Sequence, residues 1–255
     1  VLTLCLPSIF DYVKGDISEM PKEKCDKMQR ILIEDADWIL SMDQNKTRYH
    51  HADLVCEGNI IREIGNNLKS KYESQGLTFS YILNARGKIL LPGFVNAHMH
   101  TWQSLIRNFK ATQGLRLEPW LTAMYEIYKD LQSEVAQAGA YVSLGECLKT
   151  GCTTSNDLWY PHPAGVEGLV EAEILVAREL GIRFHPIRSY HSLPSAIVPE
   201  EMVETKEQIL EDTEKLVKRY HDPDELSMCR VGIGPSIAQY DAEEVLRSTI
   251  EFAEK

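Results

Sequence analysis

Two histidines separated by one residue, His98 and His100, stand at the end of the apolar run LLPGFVNAHMH. Side chains alternate between the two faces of a β-strand, so in extended chain these two imidazoles point the same way. Imidazole nitrogens are frequent zinc ligands, and two that converge at a strand end can form half of a metal site. The alternative is an H-x-H that arises by chance in a chain with 8 histidines.

The elements that would position these histidines follow an alternating pattern after residue 87. Strand-like stretches alternate with helical ones four times, and the strand-like stretches are 88–100, 152–160, 182–190 and 228–238. Helical spacing of apolar residues or a glycine stop marks the stretches between them, which are 118–131, 133–150, 166–180, 200–220 and 241–255. This order predicts a parallel sheet with right-handed crossovers. An open doubly wound sheet and half of a β/α barrel both fit it.

Residues 1–86 have a different pattern. The stretches 31–40 and 52–65 are rich in β-formers, and Gly58-Asn59 is typical of a two-residue hairpin turn. Residues 1–30 have no clear period and are left unassigned. We therefore predict a strand-rich segment over 1–86 and a β/α segment over 87–255.

Composition limits the partners. The chain of 255 residues has 38 acidic and 27 basic side chains, a net charge of −11, which argues against nucleic acid and anionic membrane surfaces as partners. Its 6 cysteines form no C-x-x-C, which favours reduced thiols in a cytoplasmic protein. No apolar run reaches membrane-spanning length, and the short apolar start lacks the basic residues of a signal peptide. No G-x-G-x-x-G follows a predicted strand, and no G-x-x-x-x-G-K-[ST] occurs. The sequence therefore lacks the glycine-rich loops that bind phosphate in dinucleotide- and nucleotide-binding folds.

The residues around the two histidines resemble a known family. LLPGFVNAHMHTWQSLIRNF is similar to the first-strand motif of the amidohydrolase superfamily, P-G-[FLI]-[VI]-[ND]-x-H-x-H. GCTTSNDLWYP is similar to the family's second-strand motif, G-x-T-T-x-x-D. The stretches ARELGIRFHPIRSYHSLP and RYHDPDELSMCRVGIGPS resemble the branch that contains triazine hydrolases, guanine deaminases and 8-oxoguanine deaminases. The resemblance extends over about residues 30 to 255.

The resemblance implies the fold and the cofactor. The fold would be the first half of a (β/α)8 TIM-type barrel, preceded by a small β-sandwich-like segment whose second part follows the barrel. The cofactor would be one divalent ion per site, Zn²⁺ with Fe²⁺ as the alternative, which activates a water for attack on a ring carbon. His98 and His100 match the family's first-strand metal ligands. The family's other ligands and its acid-base glutamate follow strands five to eight, so we expect them beyond residue 255.

Several residues at the strand ends are candidates for substrate binding. The candidates are Gln103, Trp102, Arg107, Asp157 and His185. Gln103 matches a glutamine that contacts the base in related purine deaminases, and Trp102 with Trp120 could form an aromatic wall. The structural alternatives are an exposed amide for Gln103, core packing for Trp120, a surface position for Arg107, an Asp157 that only orients a ligand histidine, and a core position for His185.

These observations predict a metal-dependent hydrolase that deaminates a purine-like or triazine-like heterocycle. The alternatives are hydrolytic removal of chloride or an alkylamine from a triazine, and a non-catalytic binding protein of the same fold. The expected partner is a small heterocyclic substrate, and a homo-oligomer stays open. We also expect residues 1–255 alone to be inactive, because four strands do not close a barrel and two histidines bind zinc weakly.

Overall fold

The computed structural model of the chain describes residues 29–255 and divides them into two units, one up to Gly93 and one over Phe94–Lys255. The N-terminal stretch that the sequence leaves unassigned lies almost wholly outside the described residues. The sequence places the division at 86/87, whereas the structure places it at 93/94. The reason is that β5 (Ile89–Leu90) pairs with β1 (Arg30–Leu40) and so belongs to the first unit.

The first unit is a five-stranded sheet of order β3-β2-β1-β4, with β5 also paired to β1. Its other elements are β2 (Arg48–Glu57), β3 (Ile60–Gly65), α1 (Leu68–Ser74) and β4 (Tyr81–Asn84). The turn at Gly58-Asn59 joins β2 and β3 as predicted. Leu68 and Tyr72 of α1 pack on Leu32 and Val55 on one face of the sheet. Within residues 29–93 no second sheet packs against this one, so the composite sandwich stays a prediction.

The second unit contains a parallel four-stranded sheet of order β6-β7-β8-β9. Its strands are β6 (Phe94–Asn96), β7 (Cys152–Trp159), β8 (Arg183–Arg188) and β9 (Gly232–Ile233). The helices between and after them are α2 (Leu117–Tyr128), α3 (Ser133–Lys149), α4 (Leu169–Leu180), α5 (Lys206–Tyr220) and α6 (Glu243–Ala253). The predicted parallel β/α order is confirmed.

The main hydrophobic core of the second unit combines residues of the sheet with residues of α2, α3, α4 and α5. Its largest fully buried members include Trp102, Trp159, Tyr128 and Phe184. On β7 and β8 buried residues alternate with partly exposed ones, because successive side chains of a strand point to opposite faces. Phe184 and Arg188 are therefore on the buried face of β8, and His185 is on the other. Among residues 29–255, no helix combines the length and apolarity that membrane crossing requires.

Some element boundaries differ from the predicted ones. The first predicted strand, 88–100, is two short strands, because Pro92-Gly93 separates β5 from β6. The predicted helix over 200–220 begins only at Lys206, since the Thr205 hydroxyl accepts a hydrogen bond from the Gln208 amide in a capping box. The predicted strand over 228–238 keeps only Gly232–Ile233 in the sheet, and Pro235 downstream has no N–H to donate. Helix α1 was not predicted.

Candidate metal and substrate site

His98 and His100 follow β6 directly, at the carboxyl end of the first strand of the parallel sheet. Their ring centroids are 4.9 Å apart and the ring planes meet at 80°. The two imidazoles are therefore neighbours, just beyond the strand, and their role as metal ligands stays a prediction. His98 is exposed and His100 is half-buried.

The ring of His100 is oriented by the neighbouring strand. Its Nδ1 atom lies 3.0 Å from the carbonyl oxygen of Leu158 on β7. A carbonyl only accepts, so Nδ1 carries the proton and Nε2 keeps its lone pair. Burial lowers the pKa of His100 to about 4, and the nearby His98 contributes to the same shift. A neutral imidazole with a free Nε2 is the form that binds a metal.

The next residue, Thr101, is held by hydrogen bonds on every polar group. Its N–H donates to Asp157 Oδ2 at 2.6 Å and its hydroxyl donates to a Glu173 carboxylate oxygen. Its carbonyl oxygen accepts from the hydroxyls of Ser104 and Ser143, each at 2.9 Å. These bonds fix the backbone that carries His100.

Helix α3 approaches this segment closely at Gly139. A Cβ atom at this position would lie 2.7 Å from the Trp102 Cα and 3.1 Å from the Thr101 carbonyl oxygen. Real Cβ atoms do not come that close to a backbone atom, so only glycine fits here. Helix packing therefore contributes to the placement of residues 98–102, which we call the histidine segment.

A cavity of about 470 Å³ opens beside the two histidines. This volume is within the range of small-molecule sites. Gln103 lies on its wall, and the Gln103 side-chain nitrogen donates to the Tyr128 hydroxyl at 3.1 Å and to the Tyr160 hydroxyl at 3.3 Å. Both N–H groups of the amide are thus directed to the tyrosines, which sets the orientation of the side chain.

Trp120 and Arg107 also line the cavity. Trp120 is partly buried and presents an aromatic surface there. The guanidinium of Arg107 makes two hydrogen bonds to the Glu146 carboxylate, at 3.1 and 3.2 Å. Both groups of this ion pair are largely exposed at the cavity.

Three residues predicted to bind substrate do not lie on this cavity. Trp102 is only 1% exposed and its ring packs on Trp159, with centroids 4.4 Å apart. Asp157 is fully buried on β7 and binds the Thr101 backbone. His185 lies in the middle of β8, with its Nε2 atom buried and without a hydrogen-bond partner. Trp102 is thus a core residue, which was not predicted, and Asp157 fits the alternative of an aspartate that orients the histidine segment.

The described side chains beside the cavity include some, but not all, of the ligands that a metal ion needs. His98 and His100 present two imidazoles at one place, which matches two of the ligands of a catalytic zinc. Among residues 29–255, no group of three or more His, Cys, Asp or Glu side chains could hold a metal ion. Within the described part of the chain, His98 and His100 are therefore two candidate ligands without a third beside them.

The structure adds residues that sequence reasoning missed. Glu173 has the sequence environment of an ordinary polar position on α4, and only its complete burial marks it. Tyr128 and Tyr160 surround Gln103. His191 is buried, and its Nε2 atom lies 2.7 Å from the Tyr125 hydroxyl. Helical spacing places the tyrosines of α2 on an inward face, but nothing in the sequence pairs them with residues 103 and 191.

Comparison with known proteins shows the family of this chain. Residues 89–255 match the model of the amidohydrolase family. The 8-oxoguanine deaminase of Pseudomonas aeruginosa is 32% identical over 173 residues, which are 67% of this chain and 38% of that enzyme. The hydroxydechloroatrazine ethylaminohydrolase of a Pseudomonas species is 34% identical over 161 residues, 61% of this chain and 34% of that enzyme.

Solved structures show the same relationship. The zinc complex of the atrazine chlorohydrolase from Arthrobacter aurescens superposes with a TM-score of 0.78 at 25% identity, over 88% of this chain and 50% of that one. The parallel sheet and its helices match part of these amidohydrolase folds. The chain spans half or less of the length of these relatives. The family match covers more than half of the chain, and the protein belongs to the amidohydrolase family.

Proposed function

We propose that this protein is the metal-binding part of a hydrolase that deaminates a nitrogen heterocycle of the purine or triazine class. The observation that carries the proposal is the side-by-side placement of His98 and His100 on a cavity that also contains Gln103. The names of the relatives, an 8-oxoguanine deaminase and a triazine-derivative aminohydrolase, support a heterocyclic substrate. A non-catalytic scaffold would not need two imidazoles placed side by side on a cavity.

His98 and His100 would hold a divalent metal, and zinc is favoured because the related atrazine chlorohydrolase was solved with zinc. When bound, such a metal acts as a Lewis acid and lowers the pKa of water. The Leu158 carbonyl keeps the His100 proton on Nδ1 and so keeps Nε2 available. The remaining ligands and the acid-base residue would come from outside residues 29–255.

Substrate recognition would fall to Gln103 and Trp120. With both N–H groups of Gln103 directed to Tyr128 and Tyr160, its side-chain oxygen is the acceptor available to a ring N–H or an amino group. Trp120 offers an apolar surface for the flat face of a ring. One oriented amide and one aromatic wall suit a planar heterocycle better than a flexible chain.

The second candidate is removal of an alkylamine or chloride from a triazine ring. It is favoured by the match to the hydroxydechloroatrazine ethylaminohydrolase and by the likeness to the atrazine chlorohydrolase.

The test is a substrate screen with the intact protein loaded with zinc. Purines, pyrimidines and aminotriazines are assayed for ammonia, and chloro- and alkylaminotriazines for chloride and amine. Ammonia release from a purine or aminotriazine supports the first proposal, and chloride or alkylamine release supports the second. Hydrolysis of peptide-like amides with no reaction on any heterocycle would overturn both.

A further inference from the structure

Two carboxyl groups, those of Asp157 on β7 and Glu173 on α4, are fully buried beneath the histidine segment. Both groups bind the same residue, Thr101, and the negative charge of Asp157 raises the pKa of Glu173. Within residues 29–255 neither group forms an ion pair with a lysine, arginine or histidine. Two negative charges at this place would therefore lack a compensating cation, at a large cost in free energy.

Each carboxyl group has one oxygen on Thr101 and one oxygen left over. Asp157 Oδ2 accepts from the Thr101 N–H at 2.6 Å, and Glu173 Oε1 accepts from the Thr101 hydroxyl. The leftover oxygens, Asp157 Oδ1 and Glu173 Oε2, are both buried, and neither has a partner that carries a hydrogen. One proton placed between them would satisfy both atoms, since a protonated carboxyl donates and a carboxylate accepts.

The pKa shifts indicate which carboxyl group is protonated. Burial raises the pKa of the Glu173 carboxyl well above its ordinary range, and the charge of Asp157 raises this pKa further. Burial also raises the pKa of Asp157, but the backbone N–H of Thr101 opposes that shift by stabilising the carboxylate. At neutral pH the favoured arrangement is a neutral Glu173 that donates to an ionised Asp157.

We propose that Asp157 and Glu173 share one proton and act together as a positioning pair, which fixes Thr101 and through it the direction of the His100 imidazole. Neither carboxyl group touches the cavity, so the pair acts through the segment that it holds. The role in aiming His100 rests on the proposed metal-dependent function. The shared proton itself does not, because it is argued from the burial of the two carboxyl groups, their bonds to Thr101 and their two unpartnered oxygens.

Two replacements of Glu173 test the shared proton, because E173Q keeps a hydrogen-bond donor beside Asp157 and E173A removes it. In E173Q the amide nitrogen can donate to Asp157 Oδ1 while the amide oxygen still accepts from the Thr101 hydroxyl. We expect this variant to melt within about 2 °C of wild type and to keep its zinc affinity. E173A leaves Asp157 without its donor and creates a cavity, so we expect a melting temperature lower by about 5 °C or more. Zinc affinity should fall by about 10- to 100-fold, as for other groups that orient metal ligands.

The experiment uses the intact protein, with wild type, E173Q, E173A and the exposed control E167Q compared side by side. Melting temperature, zinc affinity by competition with a chromophoric chelator, and the infrared spectrum at pH 7 are measured for each. The wild-type spectrum should contain the carbonyl stretch of a buried protonated carboxylic acid. That band should be absent from E173Q and E173A and unchanged in E167Q.

The outcomes are separable. A wild-type spectrum without a protonated-acid band, or an E173Q variant as unstable as E173A, would overturn the shared proton. An E173A variant that binds zinc as tightly as wild type would overturn the positioning role. If wild type itself binds no zinc, the proposed function fails, while the infrared band and the contrast between E173Q and E173A still decide the shared proton.

Discussion

His100 and Leu158 connect the first two strands of the parallel sheet through one hydrogen bond, 3.0 Å long, between an imidazole Nδ1 and a backbone carbonyl oxygen. Because the acceptor is main chain, no side-chain substitution at position 158 can remove it. The ring that would bind a metal is therefore oriented by sheet registry, and its tautomer follows from that registry.

Removal of either imidazole should weaken metal binding. We expect H98A and H100A to lose zinc affinity by at least about tenfold each, because each variant lacks one of two ligands contributed by this segment. H98A should keep the wild-type melting temperature of the metal-free protein, since His98 is exposed. Zinc content by atomic absorption is the measurement, and H50A, an exposed histidine of the first unit, is the control. Full zinc occupancy in H98A would contradict the assignment.

Changes at Gln103 should affect substrate recognition more than metal binding. Q103L removes the amide that donates to the Tyr128 and Tyr160 hydroxyls and the oxygen available to substrate, so we expect kcat/KM to fall by about 10- to 100-fold. Y160F removes only one acceptor of the Gln103 N–H groups and should have a smaller effect in the same direction. Steady-state kinetics on the best heterocycle of the screen, with zinc content measured in parallel, test this. Equal kcat/KM in Q103L and wild type would place Gln103 outside recognition.

Two glycines of α3 form a matched pair. At Gly139 a methyl group would meet the Trp102 backbone at 2.7 Å, whereas at Gly145 a methyl group has no neighbour within 4 Å. We expect G139A to lower the free energy of unfolding by about 1–3 kcal/mol through overpacking. G145A should instead raise it by up to about 1 kcal/mol, because alanine favours the helix. Chemical denaturation of both variants checks the signs, and a G139A variant as stable as wild type would show that α3 can shift.

The buried His191 should make stability depend on pH. Burial lowers its pKa to about 4, and the ring faces the Tyr125 hydroxyl at 2.7 Å, the Tyr160 ring and the nearby Glu204 carboxylate. The unfolded state binds a proton near pH 6.5 and the folded state does not until about pH 4. The free energy of unfolding should therefore decrease as pH falls through this window, by up to about 3 kcal/mol, and should be unaffected above it.

The H191Q variant separates this group from the others. It should be less stable than wild type at pH 7, because the contact with Tyr125 changes. Its stability should nevertheless decrease less between pH 6.5 and pH 4 than that of wild type. Urea denaturation at several pH values is the measurement. Parallel pH profiles for the two proteins would show that His191 does not titrate in this range.

Much of the fold of the second unit could be predicted from the sequence, because the pattern there is local. Helix α3 is predicted at 133–150 and observed at Ser133–Lys149, and its end follows from Gly151. The strand β7 is predicted to within one residue. The length of β9 could not be predicted in the same way. Its apolar stretch has the pattern of a longer strand, but only Gly232 and Ile233 pair with β8.

The site could be predicted only where one short segment carries it. His98, His100 and Gln103 are within six positions of each other, and they lie on one cavity as expected. The functions of Trp102 and Asp157 depend on burial, which a single position in the sequence does not reveal. Glu173 could not be predicted at all, because Thr101 and Asp157 lie 72 and 16 positions away and no local pattern links them to Glu173.

The bonds to Thr101 also have a consequence for folding order. Its partners Ser143, Asp157 and Glu173 are 42, 56 and 72 positions away along the chain. The histidine segment has little regular structure of its own, so it adopts its bound geometry only after α3, β7 and α4 have assembled. Closing such long loops is slow compared with forming a helix. During biosynthesis, the chain would pass through a stage in which both histidines have emerged but cannot yet present their nitrogens together.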